Sequence, residues 1–207
     1  DAKAPVILVT SSMPGEGKTF TAVNLASVYS LLDKKTVLVG LDLRKPKIYQ
    51  DFQLKNDKGV STWLIGKDKL NEIIQKTPYE NLAVIASGPV PPNPSELIAM
   101  DKTRDLINTL KNEYDYIIID SPPIGVVSDT FHLISIADSC LLVVRPGFTL
   151  KDVLERTLNE IHSNGAKGVS LVVNGMRSDY KHYGYGEKYG YTTEKGKNKG
   201  LVRILNR

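Results

Sequence analysis

Lys18 and Thr19 close the run Met13-Pro14-Gly15-Glu16-Gly17, which lies between an apolar stretch, Val6–Val9, and a helical pattern. A strand, a Gly-rich loop and a helix in that order let backbone N–H groups curl around phosphate oxygens. The helix N-terminus adds its partial positive charge to them. On this reading Met13, Pro14, Gly15, Glu16, Gly17, Lys18, Thr19 and Phe20 form a nucleotide cradle. Lys18 is placed to reach the β- and γ-phosphates, and the Thr19 hydroxyl to ligate Mg²⁺. The pattern G-x-x-x-x-G-K-[ST] is met except at its first glycine, where Ser12 stands. A Gly-rich turn that binds nothing is the alternative, and a GKT triplet directly after a strand speaks against it.

Two carboxylates sit where such a loop needs them. Asp120 ends the apolar run Tyr116–Ile119, so it faces the loop across a sheet and can hold Mg²⁺ directly or through water. Asp42 closes a second strand, Thr36–Val39, in the same way. It is either a further catalytic and metal-binding group or a capping aspartate on a loop. Arg44 beside it contacts phosphate or pairs with a surface acid. Asn174, just past the run Val169–Val173, offers its amide to a nucleobase edge or caps its own loop.

Other chemistries are excluded. His132, His162 and His182 lack metal-ligand spacing, and the single Cys140 rules out both a zinc cluster and an internal disulfide framework. The nucleophile elbow G-x-S-x-G is absent.

The elements that must position these residues follow from periodicity. Strands are expected at Val6–Val9, Thr36–Val39, Leu82–Ala86, Tyr116–Asp120, Ser139–Val144 and Val169–Val173. Helices are expected after the loop to about Asp33, over Val60–Leu64, over Asp68–Gln75 with Asp68 as N-cap, and over Asp129–Ala137. Another is expected from Leu150 to Asn164. Asn93, Pro94 and Glu96 read as a capping box that opens a helix reaching about Asn112. Alternating strands and helices imply an α/β, doubly wound, mostly parallel sheet of the P-loop NTPase kind. Ligands bind such sheets off the carboxyl ends of the strands.

Residues 1–176 read as one nucleotide-binding domain and 177–207 as a flexible basic tail. The net charge is +4, of which residues 176–207 carry +5 and the remainder −1, so the body offers no basic face for nucleic acid. No apolar run is long enough to span a membrane. Tyr180, Tyr183, Tyr185, Tyr189 and Tyr191 place five of the ten tyrosines in twelve residues, spaced by Gly and Lys. The cluster is either a sticky low-complexity tail or a set of phosphoryl acceptors. A phenol with a pKa of about 10 needs charge neutralisation at the phosphate to act as one.

The PGEGKT loop at Pro14–Thr19, the IIIDSPP strand at Ile117–Pro123 and the GPVPPNPSEL segment at Gly88–Leu97 together resemble the bacterial tyrosine kinase family of capsule and exopolysaccharide systems. The LDLRKP turn at Leu41–Pro46 and the tyrosine cluster agree with it. The P-loop and Asp120 alone are shared with the partition and septum-site ATPases, nucleotide-switched dimers, which are the alternative reading.

The resemblance implies an ATP- and Mg²⁺-dependent autokinase that phosphorylates its tail tyrosines, usually those of a neighbouring subunit in a homo-oligomer. It further implies a membrane-embedded modulator, fused or separate, which holds a cytoplasmic domain at the inner membrane face, and a cognate tyrosine phosphatase. Lys18 and Thr19 fall on the Walker A positions and Asp120 on Walker B. Asp42 falls on the second aspartate of the D-x-D-x-R turn, giving Lys18, Asp42 and Asp120 catalytic roles and Thr19, Asp42 and Asp120 the metal. Gly40 replaces the first aspartate of that turn, and Gly40→Asp is expected to raise turnover if the missing carboxylate limits it. The family's E-x-x-R-x-x-R helix has no counterpart before Pro5. Either it lies outside these residues or assembly differs.

Overall fold

The computed structural model describes residues 4–125, 129–166 and 168–176. In chain order the elements are β1 (Val6–Ser11), α1 (Lys18–Leu31), β2 (Thr36–Gly40), α2 (Ile48–Asp51), α3 (Val60–Leu64) and α4 (Leu70–Ile73). They continue with β3 (Ile74–Lys76), β4 (Leu82–Ile85), α5 (Pro94–Ala99), α6 (Asp101–Leu110), β5 (Tyr116–Asp120) and α7 (Asp129–Ile134). β6 (Ser139–Val144), α8 (Lys151–Ser163) and β7 (Val169–Val173) complete the series. Among the described residues the strands form one sheet in the order β3-β4-β2-β5-β1-β6-β7. Every pairing is parallel except β3 with β4.

The central strands are apolar on both faces because helices cover both faces of the sheet. Val6, Leu8, Ile117 and Ile119 point into one core, which receives Leu106, Ile107 and Leu110 of α6 and Ile161 of α8. Ile7, Val9 and Ile118 point into the other, where Ala22, Val23 and Ala26 of α1 lie against the sheet. Alanines at the contact let α1 approach β1 closely, which fixes where the loop between them must sit. Register does the rest: Val9 and Gly40 both stand opposite Asp120, so three strand ends converge on one edge. Cys140 is buried in the first core, and burial pushes its thiol up to about 12, the behaviour of an inert packing residue.

Several local expectations are corrected. The segment 68–75 is not one helix. Glu72 accepts from the Lys69 N–H at 2.8 Å to start the short α4, while Asp68 pairs with Lys58 at 3.0 Å rather than capping. The chain then turns extended, and Ile74 pairs antiparallel with Ile85. Pairing with the otherwise open edge of β4 outweighs helical preference there. Gln75 reinforces it by bonding both backbone groups of Lys55.

The segment after Pro94 is two helices, broken where Met100 adopts extended ψ 143° and Thr103 donates its hydroxyl to the Leu97 carbonyl. Asn93 donates to the Glu96 carboxylate at 2.6 Å instead of capping the backbone. α7 ends at Ile134, three residues short of the expected Ala137, and α2 carries no sequence pattern strong enough to announce it.

Candidate active site

β1 runs straight into the loop, and the loop turns into α1 through two glycines held at positive φ, Gly15 at 91° and Gly17 at 98°. Gly17 is the N-cap of α1, with no side-chain cap and no acidic residue in the first turn. The first N–H groups of α1 are therefore left for an anion. A side chain at Gly17 is excluded from another direction as well, since its Cβ would fall 2.0 Å from Asn174 Nδ2.

Lys18 stands at the centre. Its ammonium lies 3.0 Å from Asp42 Oδ2 and 3.5 Å from Asp120 Oδ1. The Thr19 hydroxyl donates to Asp120 at 2.9 Å, and the Lys45 backbone N–H donates to Asp42 Oδ1 at 3.0 Å. Side-chain exposures of 13% for Lys18, 7% for Asp42 and 3% for Asp120 make this a nearly dry cluster. Burial disfavours the ammonium, but Asp120 and Asp42 outweigh it and raise the Lys18 pKa. Burial likewise raises Asp120, to about 6, although Lys18 and Thr19 pull it down.

Two carboxylates and a hydroxyl thus surround the Lys18 ammonium. Hard oxygens from Thr19, Asp42 and Asp120 are the donor set that suits Mg²⁺. Beside them opens a cleft of about 260 Å³ lined by Pro14, Gly15, Gly17, Lys18, Thr19, Asp42, Arg44, Lys45, Lys47, Pro122 and Pro123. Its cationic lip and the uncapped helix fit a polyphosphate.

The other expected residues fall in different places. Arg44 lines the cleft and donates to Ser95 Oγ at 2.5 Å. Asn174 does not line the cleft, and its Nδ2 donates to the Glu16 carbonyl at 2.9 Å. Glu16 is buried, and its carboxylate accepts from the Met13 N–H at 2.7 Å and from the Thr149 hydroxyl. Phe20 is exposed and does not line the cleft. Tyr180, Tyr183, Tyr185, Tyr189 and Tyr191 lie outside the described residues. Thr149, Phe148, Lys45, Lys47 and the Pro122-Pro123 pair escaped sequence reasoning. The two prolines had a signal, since they directly follow Asp120, and so did Lys45, which lies in the LDLRKP turn.

Gly40 turns out to have a steric reason. A Cβ there would fall 2.7 Å from Ser87 Oγ, 2.8 Å from Ile48 Cδ1 and 3.2 Å from the Ser87 N. Ser87 and Ile48 must give way to a Cβ at this position, so the gain expected from Gly40→Asp turns into a packing cost. The variant will lose about 1–3 kcal/mol of stability through overpacking, and its turnover will not rise. Thermal melts beside an activity assay check both.

A family model described as "AAA domain" matches residues 4–167. The chain is 35% identical over 186 residues to a tyrosine-protein kinase, YwqD, of Bacillus subtilis (strain 168), covering 89% of this chain and 78% of that one. It is 37% identical over 185 residues to a putative tyrosine-protein kinase, CapB, of Staphylococcus aureus, covering 87% and 81%. Among solved structures, the kinase domain of the Escherichia coli tyrosine kinase ETK superposes with TM-score 0.79 at 32% identity, over 86% of this chain and 71% of that one. A septum site-determining protein of Pyrococcus horikoshii, solved with Mg-ADP, superposes with TM-score 0.69 at 21% identity over 82% and 70%, a likeness of fold alone.

Proposed function

The chain belongs to the bacterial tyrosine-protein kinase family, and from that premise we propose an ATP-dependent autokinase whose site is built on Lys18, Thr19, Asp42 and Asp120. The observation that carries the site is the Lys18 ammonium between two buried carboxylates at the mouth of an uncapped helix. The septum-site alternative shares this fold, but the relatives at 35% and 37% identity are tyrosine kinases.

The N–H groups of the loop from Gly15 onward and of the first turn of α1 hold the phosphates of ATP. Thr19, Asp42 and Asp120 would hold Mg²⁺, which would offset charge on the phosphoryl oxygens. Lys18 then turns from the carboxylates to the transferring phosphoryl group, and its charge is placed where negative charge spreads in the transition state. Asp42 is held by the Lys45 N–H on one oxygen. Its other oxygen, released from Lys18, is the group to receive the phenolic proton. Arg44 and its lysine neighbours at the lip steer the anionic nucleotide.

The acceptors we propose are Tyr180, Tyr183, Tyr185, Tyr189 and Tyr191, presented to a neighbouring subunit of a homo-oligomer. A membrane-embedded modulator, fused or separate, would hold the domain at the inner face of the membrane in a capsule or exopolysaccharide system. A tyrosine phosphatase would reset it. Among the described residues no helix is long and apolar enough to cross a membrane.

Incubation with γ-labelled ATP and Mg²⁺ tests this reading. Label is expected on tyrosine and is expected to fall at least tenfold when the five clustered tyrosines become phenylalanine. Undiminished label in that variant would move the acceptors elsewhere, and no label on tyrosine in the unchanged protein would remove the kinase reading.

A further inference from the structure

Thr149 stands five residues past the end of β6, in a segment with no phosphate-binding motif. It nevertheless ends a chain of hydrogen bonds that reaches the loop. The Arg145 N–H donates to Thr149 Oγ at 2.8 Å, and the Thr149 hydroxyl donates to one oxygen of Glu16. The other oxygen of Glu16 accepts from the Met13 N–H at 2.7 Å. The Thr149 N–H in turn bonds the Arg145 carbonyl at 2.9 Å, so a tight turn fixes the hydroxyl. Phe148 of the same turn lies under the loop, 3.6 Å from where a Cβ on Gly15 would be.

Glu16 is fully buried, and among the described residues no cation pairs with it. A buried carboxylate is tolerated only when its oxygens are hydrogen-bonded, and here Thr149 supplies one of the two donors. The Met13–Glu16 bond closes the loop on itself across three residues. It also engages the Met13 N–H, so the cradle is left to the N–H groups from Gly15 onward.

We propose that Thr149 is a positioning residue for nucleotide binding: through Glu16 it holds the curvature of the phosphate loop without touching the nucleotide. Without its hydroxyl, Glu16 Oε1 is a buried acceptor with no partner, and the carboxylate leaves Met13 to find water. The loop then relaxes. This role rests on the nucleotide reading of the loop but not on phosphoryl transfer.

The test is the Kd of a fluorescent ADP analogue with Mg²⁺, measured beside the melting temperature. Thr149→Val, which keeps the shape and loses the hydroxyl, is expected to raise the Kd about tenfold with the protein still folded at the assay temperature. Thr149→Ser restores binding to within about twofold. Glu16→Ala weakens binding as Thr149→Val does, and the double variant is no worse than either alone, because both break the same Thr149–Glu16–Met13 chain.

Unchanged Kd in Thr149→Val and Glu16→Ala would overturn the role, as would additive effects in the double variant or failure of Thr149→Ser to restore binding. Absence of Mg-ADP binding by the unchanged protein would overturn the nucleotide reading and this role with it.

Discussion

Lys18→Met will lower labelling from ATP by at least about a hundredfold to a thousandfold, the scale on which loss of one preorganised charge at a reacting centre is felt. The side chain begins α1, and a flexible ammonium there is the one group of the loop that can follow charge as it moves onto the transferring phosphoryl oxygens. The structure adds a second consequence that the motif alone did not carry. Lys18 is also the counter-charge to Asp42 and Asp120, at 3.0 and 3.5 Å. Methionine leaves two buried carboxylates facing each other, and breaking such a pair by removing one partner costs about 3–5 kcal/mol.

Part of that cost is recovered because Asp120, already raised to about 6, takes up a proton more readily once the ammonium has gone. The variant therefore folds with a lowered melting temperature at neutral pH, and Mg²⁺ restores part of the loss by supplying the missing positive charge. Labelling assays with melts in the presence and absence of Mg²⁺ measure both effects. Label at the unchanged level would remove Lys18 from the mechanism. A melting temperature unaffected by the change would show that the cluster is more hydrated than its burial implies.

The parts of this site that follow from local order were legible in the sequence. A short apolar run, a Gly-rich loop and a helix dictate where Lys18 and Thr19 go, and an apolar run ending in Asp120 places that carboxylate on the same edge. Parallel alternation then brings Asp42 beside them without any contact having to be guessed. Three features stayed hidden because they depend on what packs from a distance. Thr149 lies 133 residues from Glu16 and meets it only because β6 neighbours β1. Asn174 reads in sequence as either a nucleobase contact or a cap of its own loop, yet β7 brings it against Gly17, where its nitrogen donates to the Glu16 carbonyl. The absence of a carboxylate at Gly40 looked like a deficit until Ser87 and Ile48 were found in its place. β3 failed for a related reason: three residues give too little period to outvote a helix, and the edge of β4 decided them.

Asp120→Asn is expected to act in opposite directions on binding and on stability. As a ligand for Mg²⁺ the carboxylate supplies charge that an amide of the same shape lacks, so Mg²⁺-dependent nucleotide affinity should fall by about ten- to a hundredfold. As a buried group in the ligand-free protein, the same carboxylate is a burden. Burial raises its pKa from an ordinary 3.8 to about 6, against the pull of Lys18 and Thr19. The folded state therefore holds the proton more tightly than the unfolded chain. The stability tied to that proton is complete below about pH 4, is lost as pH rises through about 6, and stays lost above it.

Asparagine is neutral throughout and still accepts from the Thr19 hydroxyl, so the variant should melt about 5–10 °C higher than the unchanged protein at pH 8 without Mg²⁺. That advantage should shrink through pH 6 and vanish near pH 4. Saturating Mg²⁺ and nucleotide should reverse the order, because only the aspartate gains fully from the ligand. A lower melting temperature for Asp120→Asn at pH 8 in the ligand-free protein would mean that the attraction to Lys18 outweighs the cost of burial, and the carboxylate would then be a structural ion-pair partner as much as a metal ligand.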